Sequence, residues 1–143
     1  SQFTQENSQN ISIYHYVEEM IANYGKYIKE VFDETDITRA ELPFLIRIRF
    51  SEKTTQKELV ELFKVSEGYT AKLLRKFEDK GYITRCEDPT NRRKKIVELT
   101  DAGIEKTDEL IELIDNWELK VTSEMTDEEI KLLKSLLFKV VSS

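Results

Sequence analysis

The chain has 143 residues, of which 39% are hydrophobic and 35% charged, and a formal net charge of −6. That length suits one compact domain with helical extensions and excludes two domains of full size. With only 4 Gly and 2 Pro, a sandwich of short strands is disfavoured; the single Cys86 excludes an internal disulfide. No apolar run approaches the roughly 18 residues of a membrane span, and the first residues lack the apolar core of a secretory signal, so a cytoplasmic protein with no membrane partner is expected.

Taken in chain order, residues 12 to 33 place Ile13, Val17, Met20, Ile21, Tyr24, Ile28, Val31 and Phe32 at three- and four-residue spacing, the stripe of a long amphipathic helix. A second helix is expected from Thr38, where Thr38 and Glu41 have the spacing of a capping box, with Pro43 early enough to delete about one backbone bond and bend the axis. The same signature at Thr55 and Glu58 opens a short third helix through Leu59, Leu62 and Phe63. After a break at Lys64 and Val65, Ser66 is placed to cap a fourth helix ending near Gly81. Leu73, Leu74 and Phe77 fall on its inner face, leaving Gly68, Tyr69, Lys72, Arg75 and Lys76 outside. Two short helices around a tight turn, the second basic outside, read as a helix-turn-helix.

Residues 82 to 87 and 95 to 99 then read as two strands of a hairpin, with Asp88, Pro89, Thr90 and Asn91 as turn chemistry and four cations, Arg92 to Lys95, at its tip. A fifth helix starts at Thr100, with Ile104, Ile111, Ile114, Trp117 and Val121 on one side. A sixth starts at the capping box Thr126 to Glu129 and carries Ile130, Leu133, Leu136, Leu137, Val140 and Val141. The reading is mainly α (α+β). Between residues 64 and 97 there are ten cations and five anions, net +5, so the rest of the chain carries −11. A basic segment in an acidic body binds a polyanion locally while the rest discourages indiscriminate sticking.

Residues 55 to 103, "TQKELVELFKVSEGYTAKLLRKFEDKGYITRCEDPTNRRKKIVELTDAG", resemble the winged helix-turn-helix of MarR-family (multiple antibiotic resistance repressor) transcription regulators. The markers are "TQKELVEL", the "VS" before the recognition helix, "LLRKFEDKGYI", the wing "DPTNRRKK", and "VELTDAG" leading into a long helix. The resemblance extends over nearly the whole chain and implies one domain, 1–143. Within it, 36–100 would be the DNA-binding region, and 11–35 and 101–143 a helical dimerisation region. It implies a homodimer that binds a pseudo-palindromic operator in double-stranded DNA, as a repressor relieved by a small aromatic or phenolic effector. Three departures stand out: Asn91 precedes Arg92 and Arg93 where the family has Asp, Gly68, Tyr69 and Thr70 stand where a small polar pair followed by an aliphatic is commoner, and Glu67 occupies a position often neutral or basic.

On this resemblance Ser66, Gly68, Tyr69 and Thr70 would face base edges, and Lys72, Arg75 and Lys76 the backbone. Thr55 and Gln56 join the DNA-binding set at the start of the supporting helix. Arg92 and Arg93 suit a narrow minor groove, and Lys94 and Lys95 the flanking phosphates. Asp88 would fold back on a wing arginine. Tyr24, Tyr27 and Phe44 would line an effector pocket, although the tyrosines clustered in the first helix first suggest packing and a dimer seam. Cys86 is expected as a small buried hydrophobe and His15 as no metal ligand. No catalytic constellation or cofactor loop appears, so no enzyme and no cofactor are expected. A winged-helix module for protein contacts, without DNA binding, is the alternative.

Overall fold

The computed structural model describes residues 2–51 and 53–143. Six helices and three short strands follow in the order α1 (Ile13–Val31), α2 (Leu42–Phe50), β1 (Thr54–Thr55), α3 (Gln56–Phe63), α4 (Glu67–Asp79), β2 (Ile83–Asp88), β3 (Asn91–Leu99), α5 (Asp101–Val121) and α6 (Asp127–Ser142). They form two compact units, one reaching to Leu113 and one from Ile114 to the end.

In the first unit the core gathers Ile37, Leu42, Phe44, Leu45 and Ile48 from α2 and its approach, Leu59 from α3, Leu73, Leu74 and Phe77 from α4, and Ile83, Val97 and Leu110 beyond. Burying these side chains is the main term that positions α4. The sheet has the order β1-β3-β2 and is antiparallel throughout. Two strands were expected; the third, Thr54–Thr55, pairs with Val97 and Ile96. A two-residue strand has too little pattern to be seen in sequence.

Thr38 and Glu41 do exchange capping bonds, Thr38 N to Glu41 Oε1 at 2.8 Å and Glu41 N to Thr38 Oγ1 at 3.3 Å. They close a turn, and the helix proper begins at Leu42. Pro43 thus lies in the first turn, where no helical bond is lost and no bend need follow. In α5 the expected apolar side is half-buried at Ile111, Ile114 and Trp117. Gly103, Thr107 and Leu110 are buried, whereas Ile104 is 41% exposed. Gly103 sits so close to β2 that an added Cβ would lie 2.1 Å from Tyr82 O.

The second unit holds the end of α5 and α6, with Lys134 Nζ 2.9 Å from Glu118 Oε2. The α6 capping box is complete: Glu129 N donates to Thr126 Oγ1 and Thr126 N to Glu129 Oε1. In the single chain Leu132, Leu133, Leu136, Leu137, Phe138, Val140 and Val141 are exposed on α6, as are Ile13, Tyr14, Val17, Met20 and Ile21 on α1. Among the described residues no helix is long and apolar enough to cross a membrane.

Candidate nucleic-acid interface

The turn between α3 and α4 is set by three local devices. Thr55 Oγ1 accepts from Glu58 N at 3.1 Å and caps α3, Lys64 takes the left-handed conformation (φ 53°), and Ser66 Oγ accepts from Tyr69 N at 3.1 Å to cap α4. The α3 box is only half of the expected one, because Glu58 Oε2 accepts from Thr54 Oγ1 instead of reaching the Thr55 amide. Phe44 stacks on Phe63, ring centroids 4.0 Å apart, and meets the edge of Tyr69 at 5.9 Å. These contacts lean Tyr69 on the core while leaving it 42% exposed.

Along α4 the structure separates the expected DNA-facing residues. Ser66, Gly68, Tyr69, Lys72 and Arg75 are exposed. Thr70 is not: it is fully buried, its Oγ1 donating to Ser66 O at 3.1 Å, because it falls one turn before Leu73 and Leu74 on the inner face. Lys76 is also redirected. Its Nζ lies 2.6 Å from Glu41 Oε1 and 2.9 Å from Glu41 Oε2, so it ties α4 to the α2 approach instead of standing free for a phosphate. Burial pushes the Glu41 carboxyl up, but the bonds from Lys76 and Thr38 outweigh it and hold the group below its ordinary range. Thr55 is buried and committed to its cap; Gln56 is half-buried.

The four wing cations are not at the hairpin tip. The tip is Pro89 and Thr90, and Arg92 to Lys95 lie within β3. Register moves from Glu87↔Lys95 directly to Asp88↔Asn91, so Arg92, Arg93 and Lys94 have no residue opposite on β2 and form a bulge. All four cations are exposed; Lys95 has only a long 3.8 Å contact to Glu87, and among the described residues Arg92, Arg93 and Lys94 make no ion pair. Asp88 does not fold back on an arginine. Its Oδ1 accepts from Thr90 N at 2.9 Å and Thr90 Oγ1 at 2.7 Å, bonds that are the first of several causes lowering its pKa, and Asn91 Oδ1 accepts from Arg93 N at 3.1 Å. These two side-chain turns shape the tip.

Between wing and helices runs a cleft of about 940 Å³, lined by Gln56 and Glu67 on one side and Arg93, Lys94 and Lys95 on the other. Arg85 Nη2 to Glu78 Oε1, 3.0 Å, ties β2 to α4 and lowers the Glu78 pKa. A second tie lay beyond sequence reasoning. Asp36 receives Lys80 Nζ at 2.7 Å, Lys106 Nζ at 3.1 Å and the Tyr82 hydroxyl. Burial opposes ionisation of Asp36, yet the three donors together hold its carboxyl far below the usual range; burial and the Asp36 bond push Tyr82 up to about 12. Asp36 sits in an aperiodic loop, so no pattern marks it.

Phe44, expected in an effector pocket, is buried in the core. Tyr27 donates to Leu113 O at 2.9 Å, and burial raises the pKa of half-buried Tyr24. Cys86 is exposed, not buried, because at the start of β2 Ile83 and Arg85 take the inner side and Thr84 and Cys86 the outer one. Among the described residues no group of His, Cys, Asp and Glu is placed to hold a metal ion.

A MarR family profile matches residues 37–95. An uncharacterised HTH-type transcriptional regulator of Bacillus cereus is 30% identical over 111 residues, covering 78% of this chain and 74% of the relative. The chain belongs to the MarR family. A crystal structure of MarR superposes with a TM-score of 0.80 at 26% identity, covering 99% of this chain and 94% of that one. A mutant MarR from Escherichia coli, crystallised with operator DNA, shares the fold with a TM-score of 0.69 at 24% identity, over 96% of this chain and 99% of that one. The mainly helical winged-helix architecture is therefore that of MarR proteins. As a MarR-family member the chain is a transcriptional regulator and not an enzyme.

Proposed function

We propose that the protein is a homodimeric repressor that binds a pseudo-palindromic operator in double-stranded DNA and is released by a small phenolic effector, acting in the cytoplasm. The observation that carries this reading is the wing: Arg92, Arg93 and Lys94 are exposed and, among the described residues, make no ion pair, in an acidic chain and across a cleft from the exposed face of α4. Crowded like charges without internal partners are costly, and a duplex relieves that cost.

In this reading α4 enters the major groove, with Ser66, Gly68 and Tyr69 at base edges, Gln56 nearby, and Lys72 and Arg75 on phosphates. Ser66 keeps its hydroxyl proton for a base or phosphate, since its oxygen already serves the cap. Arg92 and Arg93 reach the minor groove and Lys94 and Lys95 the flanking backbone. Helical segments 11–35 and 101–143 supply the dimer region, supported by the exposed apolar side chains of α1 and α6. Two winged segments, 36–100, then meet half-sites about one helical turn, ~34 Å, apart. With Phe44 in the core, Tyr24 and Tyr27 remain as the aromatic contacts for an effector.

A gel shift with the DNA upstream of the protein's own gene tests this. A complex of two chains per duplex that dissociates with salt and with phenolic acids is expected. Absence of any complex at low ionic strength overturns the reading.

A further inference from the structure

Glu67 is the first residue of α4, the position from which a groove-entering helix meets base edges. It is exposed, and among the described residues its side chain makes no ion pair or hydrogen bond. It lines the cleft with Gln56, opposite Arg93, Lys94 and Lys95. A carboxylate on a face that approaches phosphates is electrostatically unfavourable unless a donor answers it. Proximity to the helix N-terminus offsets only part of that cost.

The bases differ in which donor they offer. In the major groove guanine presents two acceptors, thymine an acceptor and a methyl group, and adenine an acceptor beside its donor. Only cytosine presents a donor with no acceptor alongside. An ionised carboxylate accepts and cannot donate, so cytosine is the one base edge it matches without repulsion.

We propose that Glu67 is a specificity-determining residue that accepts a hydrogen bond from the cytosine N4 amino group at one C·G pair in each operator half-site. This rests on the reading of α4 as the groove-entering helix. Glu61 supplies the internal control. It lines the same cleft from α3, is exposed and is equally unpaired among the described residues, but it stands on the supporting helix, away from base edges.

The test is selection of duplexes from a randomised pool by the full chain, by Glu67→Gln and by Glu61→Gln. The unaltered protein should recover one symmetric C·G position whose replacement weakens binding about tenfold or more. Glu67→Gln should lose that preference or move it to adenine, which a Gln amide pairs. Glu61→Gln should bind all duplexes more tightly with the same consensus. If Glu67→Gln keeps the original consensus and only binds more tightly, Glu67 is a charge brake and the inference fails, while the DNA-binding reading stands. If the unaltered, folded protein selects no duplex at all, both fall together.

Discussion

Replacing Gly103 by Ala asks whether the close approach of α5 to β2 holds the wing base together. The new Cβ would lie 2.1 Å from Tyr82 O, 3.0 Å from Tyr82 C and 2.9 Å from Leu99 Cδ2. Carbon–oxygen contacts normally relax to about 3.3 Å, so α5 must retreat by roughly 1 Å from rigid backbone. The retreat stretches Thr100 N to Tyr82 O (3.0 Å) and Thr100 Oγ1 to Gly81 O (2.5 Å). Overpacking costs about 1–3 kcal/mol, and two weakened hydrogen bonds add about 1 kcal/mol each. A loss of about 3–5 kcal/mol is therefore expected, a large part of the ~5–15 kcal/mol typical of a folded domain. Urea unfolding followed by circular dichroism measures it as a lower midpoint at unchanged slope. Gly25→Ala is the control, since a Cβ there meets nothing within 4 Å inside α1. It should stabilise by about 0.5–1 kcal/mol through helix propensity. A Gly103→Ala midpoint equal to that of the unaltered protein would refute the close-packing account.

Asp36→Asn should remove the anion that holds Lys80, Lys106 and Tyr82, costing about 2 kcal/mol at neutral pH by calorimetry. Because the folded state lowers the Asp36 pKa, this stabilisation is present above about pH 4 and is lost as pH falls below it, so the variant's acid limb should be flatter. Tyr82 has the opposite sign: raised to about 12, it contributes fully below about pH 10 and its contribution drains away as pH rises through 12. Thr70→Ala should lower stability by about 1 kcal/mol without altering which duplex is bound, as its hydroxyl is spent on Ser66 O inside the core; a changed base preference on duplex selection would return Thr70 to the interface.

Helix positions were legible because apolar spacing and caps are local: Ser66 and Thr126 cap as their spacing implies. The inner face of α4 was also correct for Leu73, Leu74 and Phe77, and missed Thr70 because a Thr on a helix gives no sign of its burial. The position of the wing cations depended on where the strands pair, and a bulge of three residues shifted the tip to Pro89 and Thr90. Lys76 and Asp36 were decided by partners 35 and 44 residues distant, Glu41 and Lys80, which no periodicity reveals. The cleft face of the candidate site was visible as residue types; its division into free and committed cations was not.

The most direct measurement is duplex affinity against salt concentration for the unaltered chain and for Arg92→Ala with Arg93→Ala. Each phosphate neutralised contributes about 0.9 to the slope of log affinity on log salt. The double variant should bind much more weakly, with a slope shallower by about 2, while remaining folded at the same size. Equal affinity and equal slope would contradict the assignment of the wing to DNA.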